Sequence, residues 1–116
     1  GLINGTATYT GTSYTGHDIE IGLHSAVNDP PLVSISKTSG DPYSFAGVPD
    51  GTYYVSAFID ADDSGGAPDP GEPFAWYADG DGNPKAVIIT GGNTVNGVDI
   101  TLEDVVFKIF LPLILN

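Results

Sequence analysis

Residues 43–59 read YSFAGVPDGTYYVSAFI, and the choice of fold class turns on them. Tyr43 and Phe45 alternate with Ser44, and Tyr53, Val55, Ala57 and Ile59 alternate with Thr52, Tyr54, Ser56 and Phe58. A period of two is the signature of strands with one buried side. Between the two runs stands Val48-Pro49-Asp50-Gly51. Proline presets φ at one central turn position and aspartate suits the next, so the stretch predicts a hairpin closed by a tight turn.

The same grammar extends in both directions. Turn signals fall at residues 10–16, 28–31, 39–42, 49–51, 60–73, 79–84 and 91–93. The runs between them are short and rich in Thr, Tyr, Val, Ile and Phe, which suits strands rather than helices. Ile19, Ile21 and Leu23 alternate with Asp18, Glu20, Gly22 and His24, and Val98, Ile100 and Leu102 alternate with Asp99, Thr101 and Glu103. Further strands are expected over residues 2–9, 32–36, 74–77 and 85–89, and from Val95 to Leu102. Val98 to Leu111 lacks Gly and Pro, but its β-branched residues favour strand over helix. The expectation is an all-β fold, an antiparallel sandwich of about seven strands over residues 1–104, with a hydrophobic extension strand over 105–116.

Composition narrows the classes of function. A chain of 116 residues holds one domain, and 41% hydrophobic residues supply a core despite 16 glycines and 9 prolines. Fifteen acids stand against three lysines and no arginine, a formal charge of −12, which argues against nucleic acid as a partner because phosphate binding needs clustered cations. Neither Cys nor Met occurs, so disulfides and thiol chemistry are excluded. The missing initiator is read as a processed or trimmed end, with a removed secretory signal the simplest cause and an excised fragment the other. An extracellular or cell-surface location is expected. No run of about 18 apolar residues exists, so no membrane span is expected.

The stretch YSFAGVPDGTYYVSAFI, with the opening INGTATYTG and the closing TVNGVDITL, resembles the prealbumin-like, Ig-like β-sandwich modules of secreted bacterial proteins, the carboxypeptidase-regulatory-like and collagen-adhesin B-type repeats. The similarity spans roughly residues 3 to 102 and implies a spacer, stalk, shaft or accessory role rather than an enzyme. Repeats of this kind that form Lys–Asn cross-links carry a lysine on the first strand. Residues 2–9 have none, so no isopeptide bond is expected.

Residues 60–83 hold seven of the fifteen acids and no basic residue. Within them Asp60-Ala61-Asp62-Asp63-Ser64-Gly65-Gly66-Ala67-Pro68-Asp69-Pro70-Gly71-Glu72 places oxygen-bearing side chains at relative positions 1, 3, 5, 10 and 13. Calcium takes six to eight hard oxygens from a flexible turn, and alternating early ligands with a late closing acid meet that demand. The loop is similar to the D-x-N-x-N-G-x-x-D-x-x-E-P loop of the bacterial modules, one residue longer. That resemblance implies Asp60, Asp62, Ser64, Asp69 and Glu72 as calcium ligands. Asp79 and Asp81 either join that ion, hold a second, or belong to an ordinary turn.

From Val105 to Leu115, nine of eleven residues are apolar. Phe107, Ile109, Leu111, Leu113 and Leu115 lie on one side at period two with Val105, and Pro112 interrupts any ladder on the other. Burying nine such side chains is worth on the order of 10 kcal/mol, at about 1.5 kcal/mol each. Three destinations compete: the last strand of its own sandwich, donation to the next copy in a head-to-tail homo-oligomer, and attachment to a membrane or wall. The reading favoured is a secreted, non-enzymatic, calcium-stabilised structural subunit that polymerises into a surface filament through Phe107, Ile109, Leu111, Leu113 and Leu115. Its alternative is a monomeric accessory or adhesive module of a larger surface protein, with carbohydrate as the candidate ligand on Trp76, Tyr77, Tyr9, Tyr14, Tyr53 or Tyr54. His17-Asp18 and His24-Ser25 invite a triad reading, but no nucleophile turn surrounds Ser25, and both histidines are assigned to the solvent face of a strand. Asn4-Gly5-Thr6 satisfies the N-glycosylation pattern.

Overall fold

Alternating apolar residues give each strand one side that must leave water, and two sheets facing one another satisfy all of them at once. The structure, a computed structural model, describes residues 1–61 and 71–105. Nine strands form among them: β1 (Leu2–Tyr9), β2 (Ile19–His24), β3 (Val33–Lys37), β4 (Pro42–Phe45), β5 (Gly51–Phe58), β6 (Phe74–Trp76), β7 (Val87–Ile89), β8 (Thr94–Val95) and β9 (Ile100–Leu102). The first sheet runs β4-β1-β8, with β9 also paired to β1; the second runs β3-β2-β5-β6, with β7 also paired to β5. The expected all-β sandwich is therefore the observed fold. Its core joins Ile3, Ala7, Tyr43, Phe45, Val98, Ile100 and Leu102 of the first sheet to Ile19, Ile21, Leu23, Tyr53, Val55, Ala57, Val87 and Ile89 of the second.

The 43–59 stretch departs from its expected hairpin. β4 pairs with β1, Ile3 opposite Phe45, whereas β5 pairs with β2, Leu23 opposite Val55. The turn thus carries the chain from one sheet to the other. A hairpin tip would leave Val48 in water; here it is buried, and its N–H donates to the Gly1 carbonyl at 2.9 Å. The Tyr53 hydroxyl donates to the Pro49 carbonyl at 2.7 Å. The Asp50 carboxylate accepts the N–H groups of Gly91 and Gly92 at 2.9 and 3.1 Å, which hold its pKa below the ordinary carboxylate value.

The expected strand from Val95 to Leu102 is divided in two. β8 and β9 both run parallel to β1, so the sandwich is not wholly antiparallel. Ile3 lies opposite Val95 and Ala7 opposite Ile100, so the three residues 4–6 face the four residues 96–99. One extra residue is a bulge, and it reverses which side chains point inward. Val95 upstream packs on the core, and so do Val98, Ile100 and Leu102 downstream, which an unbroken strand would not allow. Gly97 makes the kink with φ +74°, and the Asp99 carboxylate accepts the Thr6 N–H at 2.9 Å. Gly5 is required opposite: a Cβ there would stand 1.8 Å from the Val98 carbonyl oxygen. That oxygen already accepts the buried Tyr43 hydroxyl at 2.5 Å, and burial pushes the Tyr43 phenol far above its usual pKa.

Among the described residues β9 is the last strand, and it ends at Leu102. Asp104 then clasps the β1–β2 connection, accepting the Tyr9 hydroxyl and the Thr12 N–H. These bonds, led by that of Tyr9, lower the Asp104 pKa. Val105 is exposed. The rest of the expected extension strand, including Phe107, Ile109, Leu111, Leu113 and Leu115, lies outside the described residues.

Candidate functional site

Side chains that point away from the core on the second sheet form rows across its strands. Register places Ser34 opposite Gly22, Gly22 opposite Ser56, and Ser56 opposite Trp76. The adjacent row holds Ser36, Glu20, Phe58 and Phe74. Small residues at the centre and aromatic ones at one side make a trough, and the β2–β3 connection supplies the facing wall with Val27, Pro30 and Pro31. The resulting groove encloses about 600 Å³, a size typical of ligand sites.

The floor of the groove is built around His24. Its Nε2 lies 2.7 Å from Ser56 Oγ and its Nδ1 2.9 Å from the Asp29 carbonyl oxygen, so both ring nitrogens are engaged. The Trp76 ring stands edge-on to it with centroids 4.8 Å apart, and Phe74 stands edge-on to Trp76 at 5.5 Å. Gly22 keeps the space open: a Cβ there would come within 3.0 Å of His24 Nε2 and 3.1 Å of Ser56 Oγ. Glu20, Asp29 and Asp60 add carboxylates to the lining, with Glu20 accepting the Ser36 hydroxyl at 2.5 Å.

His24 is therefore not on a solvent face, as the sequence reading had it, because the Ser25–Leu32 connection folds over it and leaves 7% exposed. Nor does it pair with Ser25, whose hydroxyl donates to Asp29 at 3.4 Å. Its partner Ser56 comes from 32 residues away, on β5. Ser56 sits mid-strand between Gly22 and Trp76, paired on both sides, and with His24 it forms a polar floor beside the Trp76 ring. His17 is exposed and packs its ring edge-on to Tyr14.

The aromatic residues singled out in the sequence are not gathered into one platform. Tyr53 is buried in the core, Tyr9 and Tyr14 pack together near Asp104, and Tyr77 carries Lys85 Nζ 5.6 Å above its ring. Only Trp76 of that set lines the groove. Outward aromatic residues on β5 and β6, Phe58 and Phe74 beside Trp76, were the signal in the sequence for this surface; Gly22, His24 and Ser56 carried none until register set them side by side.

Of the five calcium candidates, Asp60 and Glu72 are described, and Asp62, Ser64 and Asp69 lie outside the described residues. The two ends of the acidic loop are held together at its neck, where the Ile59 N–H donates to the Pro73 carbonyl at 3.1 Å. Glu72 is 8% exposed and accepts the Ala61 N–H at 2.7 Å. Among the described residues no three acidic or histidine side chains converge as a metal site. Asp79 makes a turn of its own, accepting the N–H groups of Asp81 and Asn83 at 2.9 and 3.0 Å. Asn4, in the glycosylation pattern, donates to Asn96 at 2.9 Å and accepts from Ser44 at 2.6 Å. No helix among the described residues is long and apolar enough to cross a membrane. Compared with protein-family models and with curated proteins, the chain matches none, so the resemblance to prealbumin-like modules rests on the sandwich and its sequence pattern alone.

Proposed function

We propose that this protein is a non-enzymatic, extracellular structural module that joins head to tail by giving its C-terminal apolar segment, residues 105–116, to the next copy. One observation carries the reading: by Leu102 the two sheets already enclose a core. β9 pairs with β1, and Val98, Ile100 and Leu102 are 0–3% exposed, so these core positions are taken by residues that precede the apolar segment. Nine apolar residues follow, which lower their free energy by leaving water, and a second molecule offers them a surface. Deleting residues 105–116 is expected to convert assemblies to monomers, measured by sedimentation velocity. Undiminished assembly of the shortened chain would remove the proposal.

Calcium fits the same reading as a clamp on the acidic loop, held by Asp60, Asp62, Ser64, Asp69 and Glu72. Support comes from the neck, where Glu72 is nearly buried and its second strand is pinned to the first. A cation that binds only the folded loop raises the melting temperature by mass action. Saturating EDTA should lower it by several degrees, and an unchanged melting curve would count against the ion.

The second reading, a monomeric adhesive module that binds carbohydrate, draws on Trp76 and Phe74 beside Glu20 and Asp60 in the groove. Glycan-array binding abolished by Trp76→Ala would favour it over assembly.

A further inference from the structure

We infer that the groove on the outer face of the second sheet is the acceptor for the tail of a second copy, taking its extended stretch Ile109–Leu113 with Lys108 directed at the groove carboxylates. The inference rests on the strand-donation reading above and names a sheet face, rather than a sheet edge, as the receiving surface.

The floor of this groove consists of β2, β5 and β6, paired along β2–β5 and β5–β6, and a sheet face offers side chains rather than backbone groups. An occupant must therefore bind through side chains. The tail suits that requirement: Val105 to Leu115 is apolar at nine of eleven positions. Pro112 cannot donate to a ladder, which weakens the case for an edge, yet it forces Leu111 toward extended backbone and loses nothing on a face. Grooves walled by aromatic and proline side chains take extended, proline-containing segments through such side-chain contacts. Here the walls are Trp76 and Phe74 on one side and Pro30 and Pro31 on the other.

Charge selects the same occupant. A net charge of −12 makes any two copies repel, but residues 105–116 contain one lysine and no acidic side chain. Glu20, Asp29 and Asp60 line the groove. Of the other two lysines, Lys85 lies over the Tyr77 ring and Lys37 faces Ile19 at the far end of β3. Steering by opposite charge then favours tail against groove over any other pairing of two copies.

The donor is a second copy, as the strand-donation reading requires, and the molecule's own tail is the competing occupant. Asp104 ties the segment to the β1–β2 connection, and Tyr14 of that connection bonds the Gly71 carbonyl at the neck of the β5–β6 loop at 3.3 Å. Fully extended, eleven residues span about 36 Å.

The absence of cysteine makes the test clean. Full-length chains carrying Ser34→Cys, in the groove, and full-length chains carrying Leu113→Cys are mixed and oxidised. A mixed disulfide dimer is expected at least tenfold above that formed by Leu113→Cys with Thr101→Cys on the opposite face, and Phe74→Asp in the groove chain should reduce it at least tenfold. Equal coupling to both faces overturns the groove as acceptor, and if the parent chain still assembles, strand donation survives without it. A chain that carries both Ser34→Cys and Leu113→Cys and closes within a monomer overturns the second copy as donor. A groove that binds a glycan and yields no mixed dimer also overturns the inference. A parent chain that remains monomeric at millimolar concentration and forms no mixed dimer removes both this inference and the proposed function.

Discussion

The two outer faces of this sandwich share one backbone plan and carry opposite chemistry. On the first sheet Asn4, Thr6, Ser44 and Thr101 point outward, and their polar groups answer one another: Ser44 donates to Asn4, Asn4 to Asn96, and the Thr6 N–H to Asp99. On the second sheet the corresponding positions hold Gly22, His24, Ser56, Phe58, Phe74 and Trp76. A face that meets only water needs neither an aromatic row nor a histidine with both nitrogens engaged beneath it. The difference teaches that the outer polar groups of the first sheet answer one another, while the second sheet turns an aromatic-walled groove outward.

The largest effect that separates the faces comes from a pair of glycines. Gly5→Ala places a methyl 1.8 Å from a backbone oxygen on the inner side of the first sheet, where the bulge cannot yield. A loss of about 3 kcal/mol or more is expected in chemical denaturation. Gly22→Ala meets His24, Ser56 and Pro31 side-chain atoms at 3.0–3.2 Å, and these can shift. About 1 kcal/mol is expected there, together with a narrowed groove. Equal losses at the two sites would erase the distinction between a backbone constraint and an open floor.

Next in size is Ser56→Ala. It strips the partner from His24 Nε2 in a place where water has little access, and about 1–3 kcal/mol is expected. Thr101→Ala on the other face should fall within about 0.5 kcal/mol of zero. Denaturation curves of the two variants that coincide would mean the His24–Ser56 pair holds nothing.

The smallest effect belongs to the ends that both sheets share. Asp50 and Asp104 have pKa values lowered in the fold, Asp50 by the Gly91 and Gly92 N–H groups and Asp104 chiefly by the Tyr9 hydroxyl. A carboxyl depressed in the folded state contributes stability above its unfolded pKa and loses it as pH falls through the folded value. The melting temperature should therefore decline below about pH 4, and the decline should be shallower in Asp50→Asn/Asp104→Asn. An identical acid slope in parent and variant would show that neither clasp is coupled to folding.

Much of this was legible in the chain itself. Alternation in Ile19-Ile21-Leu23, Tyr53-Val55-Ala57 and Val98-Ile100-Leu102 determined which side chains are inside, because period two is a local property of extended backbone. The same alternation, with turn residues spaced between the runs, determined the fold class. Tertiary structure alone decided three things. It sent the 46–50 turn between sheets, since burying Val48 required a neighbour that local sequence does not name. It split the last strand with a bulge, since the inward sides of Val95 and Val98 reconcile only against β1. And it brought Gly22, His24, Ser56 and Trp76 onto one face, since cross-strand register is set by contacts between residues 20 and more positions apart, which no periodicity along the chain records.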